Sequence, residues 1–97
     1  IVTVVDIESP VLNLENEGKT VNVKVGETFK PKFTATDNFT ADEDLLVYYI
    51  VKDSNENFVT VTTSDITITK AGRYTVIVYV VDEAYNSVVK SYYVNVK

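Results

Sequence analysis

The side chains best suited to chemistry are carboxylates, and they fall in two groups along the chain. The first group is Asp37, Asn38, Asp42, Glu43 and Asp44, and the second is Asp82, Glu83 and Asn86. Calcium binds about six to eight oxygen atoms, many of them from carboxylates, so the candidate ligands are Asp37, Asp42, Asp44 and Asp82. Neither group has the D-x-D-x-D-G spacing of an EF-hand. The alternative is that Asp37 and Asp82 cap turns, and calcium is the only cofactor left open.

The same carboxylates could act as the acid and base of a glycoside hydrolase, which must face each other across a substrate cleft. A chain of 97 residues leaves little room for one. There is no Cys and no His, which excludes a cysteine nucleophile and the commonest general base. The serines lack a histidine partner and the glycines of a nucleophile elbow. We therefore expect no catalytic residues and no enzymatic activity.

Tyrosine is abundant, with 7 residues. If Tyr74 faces the core, strand alternation makes Tyr79 face outward. Tyr48, together with Tyr92 or Tyr93, could then join Tyr79 across neighbouring strands, where opposed Cβ atoms lie about 5 Å apart. Such a patch would stack on sugars or contact a protein. The candidate ligand-contacting residues are Tyr48, Tyr79, Tyr85 and Tyr93; alternatively these tyrosines only cover the sheet or meet an adjacent module.

The elements that must position these residues are β-strands. Val, Ile and Thr make up 37 of 97 residues, and β-branched side chains are favoured in strands. Apolar residues alternate with polar ones in several segments, and none shows a helical period. Pro31 interrupts one such run and is expected at a bulge or an unpaired edge. Strands are predicted at residues 11–14, 20–25, 29–36, 45–52, 58–62, 65–69, 73–81 and 88–96.

The length indicates one domain, residues 1–97. Residues 2–5 resemble residues 94–97, which suggests tandem repetition with residues 1–9 as a linker or the end of a preceding module; a plain first strand is the alternative. The net charge of −5 would repel a phosphate backbone, so nucleic acid is not an expected partner. No apolar run reaches the roughly 20 residues that span a bilayer, so membrane insertion is not expected.

A family resemblance rests on the segment A-G-R-Y-T-V, residues 71–76. It has the spacing of a tyrosine corner, in which Tyr74 bonds upstream backbone and Val76 takes the core position held by cysteine in antibodies. With S-P-V-L-N-L at residues 9–14, V-K-V-G-E at 23–27, A-T-D-N at 35–38 and V-V-D-E-A-Y-N-S at 80–87, the chain resembles bacterial immunoglobulin-like domains, including hyalin-repeat-like ones, of cell-surface and secreted proteins.

The resemblance implies an all-β, immunoglobulin-like β-sandwich of seven to eight antiparallel strands in two sheets. It also implies an extracellular module, on a bacterial surface or secreted, that acts as a spacer, an adhesin stalk or an accessory domain. The implied partners are adjacent domains of the same chain, with a glycan or a host protein as the alternative. The family commonly has Gly-Asn in the last hairpin turn. Because Tyr85 replaces that glycine, we expect Asn86 to take the left-handed conformation and Tyr85 to project from the tip.

Overall fold

The computed structural model describes residues 10–37 and 44–97. This part of the chain is all-β and consistent with a β-sandwich, because strands of different sheets share one hydrophobic core. In chain order the strands are β1 Val11–Leu14, β2 Thr20–Val23, β3 Thr28–Phe29, β4 Phe33–Thr36, β5 Leu46–Lys52, β6 Phe58–Thr62, β7 Ile66–Thr67, β8 Gly72–Val81 and β9 Ser87–Val96.

Three hydrogen-bonded sheets contain these strands. The largest has the order β2-β9-β8-β5-β6, while β1 pairs with β4 and β3 pairs with β7. The predicted strand over residues 29–36 is divided into β3 and β4. Pro31 is buried in the gap between them, so this proline, having no N–H to donate, lies at a break between two strands and not at the expected bulge or unpaired edge.

The expectation of antiparallel strands throughout is wrong for β2. It pairs in parallel with β9, with Thr20 opposite Tyr93 and Val23 opposite Val96. The physical reason is that residues 15–19 carry the chain from β1 to the edge of the five-stranded sheet, so β2 does not form a hairpin with its neighbour in sequence. The structure also has nine strands in its described part, rather than seven or eight.

Strand β8 supplies much of the core through strict alternation. Its inward residues Tyr74, Val76, Val78 and Val80 are buried, the three valines completely. Burying a valine side chain contributes about 1.5 to 3 kcal/mol. The intervening residues are half-buried, because β8 lies between β9 and β5. The predicted inward and outward faces of this strand are therefore confirmed.

The predicted tyrosine corner is present where β8 begins. The Tyr74 hydroxyl donates a hydrogen bond to the Lys70 carbonyl at 2.8 Å. Gly72 has a φ of 153°, which side-chain-bearing residues rarely adopt. A Cβ atom there would lie 3.6 Å from the Tyr74 ring, an ordinary van der Waals distance, so the backbone conformation, not space, favours glycine at this position. The glycine and the tyrosine together turn the chain into β8.

Removing the corner hydrogen bond should destabilise the domain. We expect Tyr74→Phe to lower the free energy of unfolding by about 1 kcal/mol, because the Lys70 carbonyl loses its donor while the ring stays packed. Urea denaturation would measure the change. Tyr93→Phe is the matched control, since Tyr93 lies on the outward side of β9; an equal loss in both variants would contradict the role of the corner.

Candidate functional site

The candidate site is the side of the five-stranded sheet that faces away from the core, called the outer face below. Its residues alternate along each strand with the buried ones, and cross-strand pairing arranges them in rows. The rows are Leu46, Val81 and Ser87; Tyr48, Tyr79 and Val89; Val61, Ile50, Ile77 and Ser91; and Lys52, Thr75 and Tyr93. Most of these side chains are apolar or aromatic.

Two of the predicted tyrosines meet on the outer face. Tyr48 and Tyr79 are direct cross-strand partners, and their rings stack with centroids 5.0 Å apart and an interplanar angle of 18°. The Tyr79 hydroxyl donates to Ser87 Oγ at 3.2 Å, which fixes the ring at the hairpin end of the sheet. Val89 beside them is about half exposed. The pair forms a partly exposed aromatic and aliphatic surface.

Tyr93 is not brought into this stack. It lies opposite Thr75, whereas Tyr79 lies opposite Val89, and four residues along β9 correspond to about 13 Å. The Arg73 guanidinium lies 4.9 Å from the centroid of the Tyr93 ring, a cation–π contact. Tyr92, the other residue considered for the patch, is in the core, and its burial raises the pKa of its hydroxyl to about 12.

The β5–β6 turn is held by the Asp53 carboxylate. Its Oδ1 accepts hydrogen bonds from the Asn55 and Asn57 amides, each at 2.9 Å. The Asn57 bond, followed by the Asn55 bond, lowers the pKa of the Asp53 carboxyl, since both stabilise its charged form. Glu56, the residue before Asn57, takes the left-handed conformation with a φ of 64°.

The β8–β9 turn repeats this arrangement around Asp82. Its Oδ1 accepts from the Ala84 amide at 2.9 Å and the Asn86 amide at 2.8 Å, and its Oδ2 accepts from Asn86 Nδ2 at 3.1 Å. Tyr85 takes the left-handed conformation with a φ of 67°. Both turns therefore have the sequence Asp-x-x-x-Asn, and in both the residue just before the Asn takes the left-handed conformation.

The expectation for Asn86 is wrong, because Tyr85 itself adopts the left-handed conformation. The Asp82 carboxylate binds the Asn86 amide and side chain, which holds Asn86 in place and leaves the preceding residue to make the reversal. Tyr85 does project from the tip as predicted, with 88 % of its surface exposed. It is at the end of the sheet and is not part of the Tyr48 and Tyr79 stack.

The four candidate calcium ligands are arranged as follows. Asp82 is 4 % exposed, and its carboxylate caps the turn. Asp37 directly follows β4, and Asp44 is exposed two residues before β5; Asp42 lies outside the described residues. Within residues 10–37 and 44–97 there is no group of three or more His, Cys, Asp or Glu that could hold a metal ion. Calcium binding stays a prediction.

Two features of the structure were not predicted from the sequence. One is a cleft of about 540 Å³ beside the tyrosine corner, lined by residues that include Asp53, Thr60, Thr67, Lys70 and Tyr74. Strands distant in sequence form it, so no local pattern indicates it. The other is the exposed surface of β6, where Phe58, Val59 and Val61 are 70 %, 45 % and 60 % exposed. Here a signal was available, because residues 57–64 contain no charged side chain.

No protein-family model, no curated protein and no solved structure matches the chain. None of the described residues forms a helix long and apolar enough to cross a membrane.

Replacing Tyr85 should reveal strain at the hairpin tip. A left-handed conformation costs a non-glycine residue roughly 1 kcal/mol, so we expect Tyr85→Gly to raise the free energy of unfolding by up to that amount. Thermal and urea denaturation would measure it. Tyr85→Ala keeps a Cβ atom while removing the ring, so it should give no such gain; equal stabilisation by both variants would place the effect in the side chain.

Proposed function

We propose that the chain is an immunoglobulin-like module that acts as a non-catalytic spacer in a larger bacterial cell-surface or secreted protein. The observation that carries the proposal is the parallel pairing of β2, near the start of the fold, with β9, the last strand. Tension applied to the two ends of the domain would reach this pair through β1 on one side and through the end of β9 on the other. Resistance of its strand pairs to tension matters more to a spacer than a binding pocket does.

The two ends of the described chain lie at opposite ends of the sheets. Val11 pairs with Thr36, and the Val25 amide donates to the Lys97 carbonyl at 3.0 Å. Between those positions, residues 28–36 run along β3 and β4, about 25 Å at the usual rise of a strand. Modules joined at these ends would follow one another lengthwise, with adjacent domains of the same chain as their partners.

The hydrogen bonds between β2 and β9 would resist such tension in shear. The Gly18 amide donates to the Ser91 carbonyl at 3.0 Å, the Tyr93 amide to Lys19 at 2.8 Å and the Lys97 amide to Val23 at 3.0 Å. Pulling β2 towards one end and β9 towards the other loads these bonds together, along the strands. An antiparallel pair pulled from its open end would instead lose its bonds one at a time.

Other features support the immunoglobulin-like assignment within this proposal. Tyr74 bonds the Lys70 carbonyl, as the tyrosine of an immunoglobulin corner does. Val76, two residues later, is completely buried at the position that cysteine occupies in antibodies. The first strand pairs with one sheet through β4, and the chain then crosses to the edge of the other at β2.

A single proline should weaken the mechanical contact. Val25 is the second residue of a turn that is closed by the Glu27 amide and the Lys24 carbonyl at 3.0 Å, with Gly26 at a φ of 80°. Proline suits that position of a type II turn. Val25→Pro therefore keeps the turn but removes the amide that binds Lys97, and we expect a lower unfolding force in single-molecule pulling of a chain of identical modules.

The matched control places a proline in the β5–β6 turn, at the same position within the turn. Ser54 is the second residue of the β5–β6 turn, where the Glu56 amide bonds the Asp53 carbonyl at 3.0 Å, and it is not part of the β2–β9 contact. Ser54→Pro should leave the unfolding force unchanged. If Val25→Pro pulls apart at the wild-type force, or both variants weaken equally, the β2–β9 pair is not the mechanical element.

A second function is favoured by one specific observation, the stacked and partly exposed Tyr48 and Tyr79 pair. Aromatic rings and neighbouring aliphatic groups make a surface on which sugars stack. The module would then be adhesive or carbohydrate-binding. Tyr93 and Tyr85 would contribute from the two ends of the sheet.

Glycan-array binding tests this second function. If the stack binds a sugar, Tyr79→Ala should abolish binding, with circular dichroism showing an intact fold. Tyr93→Ala removes a tyrosine outside the stack, so this variant should still bind the glycan through Tyr48 and Tyr79. The absence of any signal from the wild-type domain across host and plant glycans would exclude carbohydrate binding at this face. The spacer function would then be the only one of the two proposals that remains.

A further inference from the structure

We propose that a pocket beside β2 binds a small organic anion with an apolar body, of the size of a one-ring carboxylate. The pocket has a volume of about 190 Å³. It lies between β2 and β9 of the five-stranded sheet on one side and β3 with the segment after it on the other. It is on the core side of that sheet and not on the outer face, so the site is independent of both functions proposed above.

The chain opens this pocket where two connecting segments leave the strands. Residues 15–19 lead from β1 to β2, and residues 30–32 separate β3 from β4. Pro31 in the second segment is buried, and it has no N–H with which to continue a ladder. The Glu15 amide donates to the Lys32 carbonyl at 2.9 Å, which joins the two segments at the rim. The core therefore stays open beside β2.

The feature that points to a ligand is the hydroxyl of Tyr92. This residue lines the pocket and is only 5 % exposed. Within residues 10–37 and 44–97 its hydroxyl has no hydrogen-bond partner, whereas the hydroxyls of Tyr74 and Tyr79 are both bonded. Buried polar groups are nearly always hydrogen-bonded. Because burial raises the pKa of Tyr92 to about 12, the hydroxyl stays protonated and can donate to a ligand.

The walls and the size of the pocket limit the body of the ligand. Val21, Val23 and Phe29, all half-buried, supply apolar surface, which an apolar group covers more favourably than water does. The volume is several times the roughly 30 Å³ that one water molecule takes up in the liquid. It is below the roughly 300 Å³ at which sites for drug-sized molecules begin. One ring or a short chain therefore suits it.

The charges at the rim favour an anion. Lys30 and Lys32 both line the pocket and are exposed, and neither forms an ion pair with another described residue. Glu15 contributes the only carboxylate of the lining residues, so positive charge is in excess there, although the whole chain carries a net charge of −5. A carboxylate could accept the hydrogen of Tyr92 while the lysines offset its charge.

Titration of the isotope-labelled domain with benzoate and with hexanoate, followed by NMR, tests the proposal. We expect saturable shifts in residues 15–23, 29–32 and 92, with half-saturation at about 1 to 10 mM for ligands this small. Benzyl alcohol keeps the ring but lacks the charge, so it should bind about tenfold more weakly. Three results would each overturn the proposal: no saturable shift with either anion up to about 50 mM, shifts confined to the cleft beside the tyrosine corner, or equal binding of benzyl alcohol.

Matched tyrosine substitutions test the role of the hydroxyl. Tyr92→Phe should weaken benzoate binding about tenfold, while the free domain keeps its melting temperature because no hydrogen bond within the protein is lost. Tyr74→Phe is the control: it loses the corner hydrogen bond but should bind benzoate as the wild type does. Wild-type affinity in Tyr92→Phe, or an equal loss of affinity in both variants, would contradict binding at this hydroxyl.

Paired lysine substitutions test the charge at the rim. Lys30→Gln combined with Lys32→Gln should weaken benzoate binding about threefold and leave the binding of benzyl alcohol unchanged. The control combines Lys24→Gln with Lys70→Gln, which removes the same charge from exposed lysines outside the pocket and should keep the wild-type affinity. If the two double variants bind benzoate equally well, the rim does not select an anion.

Discussion

The structure depends on the position of β8 between two partners. All ten of its residues pair with β9 and the last seven, Thr75–Val81, also pair with β5, so the backbone of β8 is satisfied on both sides over most of its length. Val76, Val78 and Val80 can then be completely buried without unpaired polar groups beside them. The outward residues are half-covered for the same reason. Both the core and the outer face follow from this single strand.

The carboxylates that first suggested chemistry serve the turns around this strand. Asp53 and Asp82 each hold two backbone amides in the same five-residue geometry. The two hairpins are at opposite ends of the sheet, since Lys52 is opposite Thr75 and Leu46 is opposite Val81. A short polar side chain that binds its own following backbone makes such reversals without glycine, which fits a chain with only 3 glycines.

Local patterns predicted the strands well. Alternation located β6 and β8, and the spacing of Gly72 and Tyr74 predicted the corner hydrogen bond, because these features depend on residues close in sequence. The stacking of Tyr48 and Tyr79 was also accessible, since it requires only that two outward tyrosines lie on neighbouring strands.

Features set by distant segments could not be predicted in this way. The parallel direction of β2 is decided by where residues 15–19 lead, and no pattern within β2 encodes it. The distance of Tyr93 from the stack depends on the register of β9 against β8, which slips by whole residues without changing the alternation. The conformation of Tyr85 depended on which of two adjacent residues the Asp82 carboxylate would hold.

The pairing of β2 with β9 has a consequence for the order in which the domain is built. Tyr93 follows Thr20 by 73 positions, so this contact closes a long loop, whereas both Asp-capped hairpins close within a few residues. Long-range contacts form slowly and late, and on a ribosome β9 emerges last. Because the Lys97 amide and carbonyl complete the contact with Val23 and Val25, β2 would stay without its partner strand until Lys97 had left the ribosomal exit tunnel.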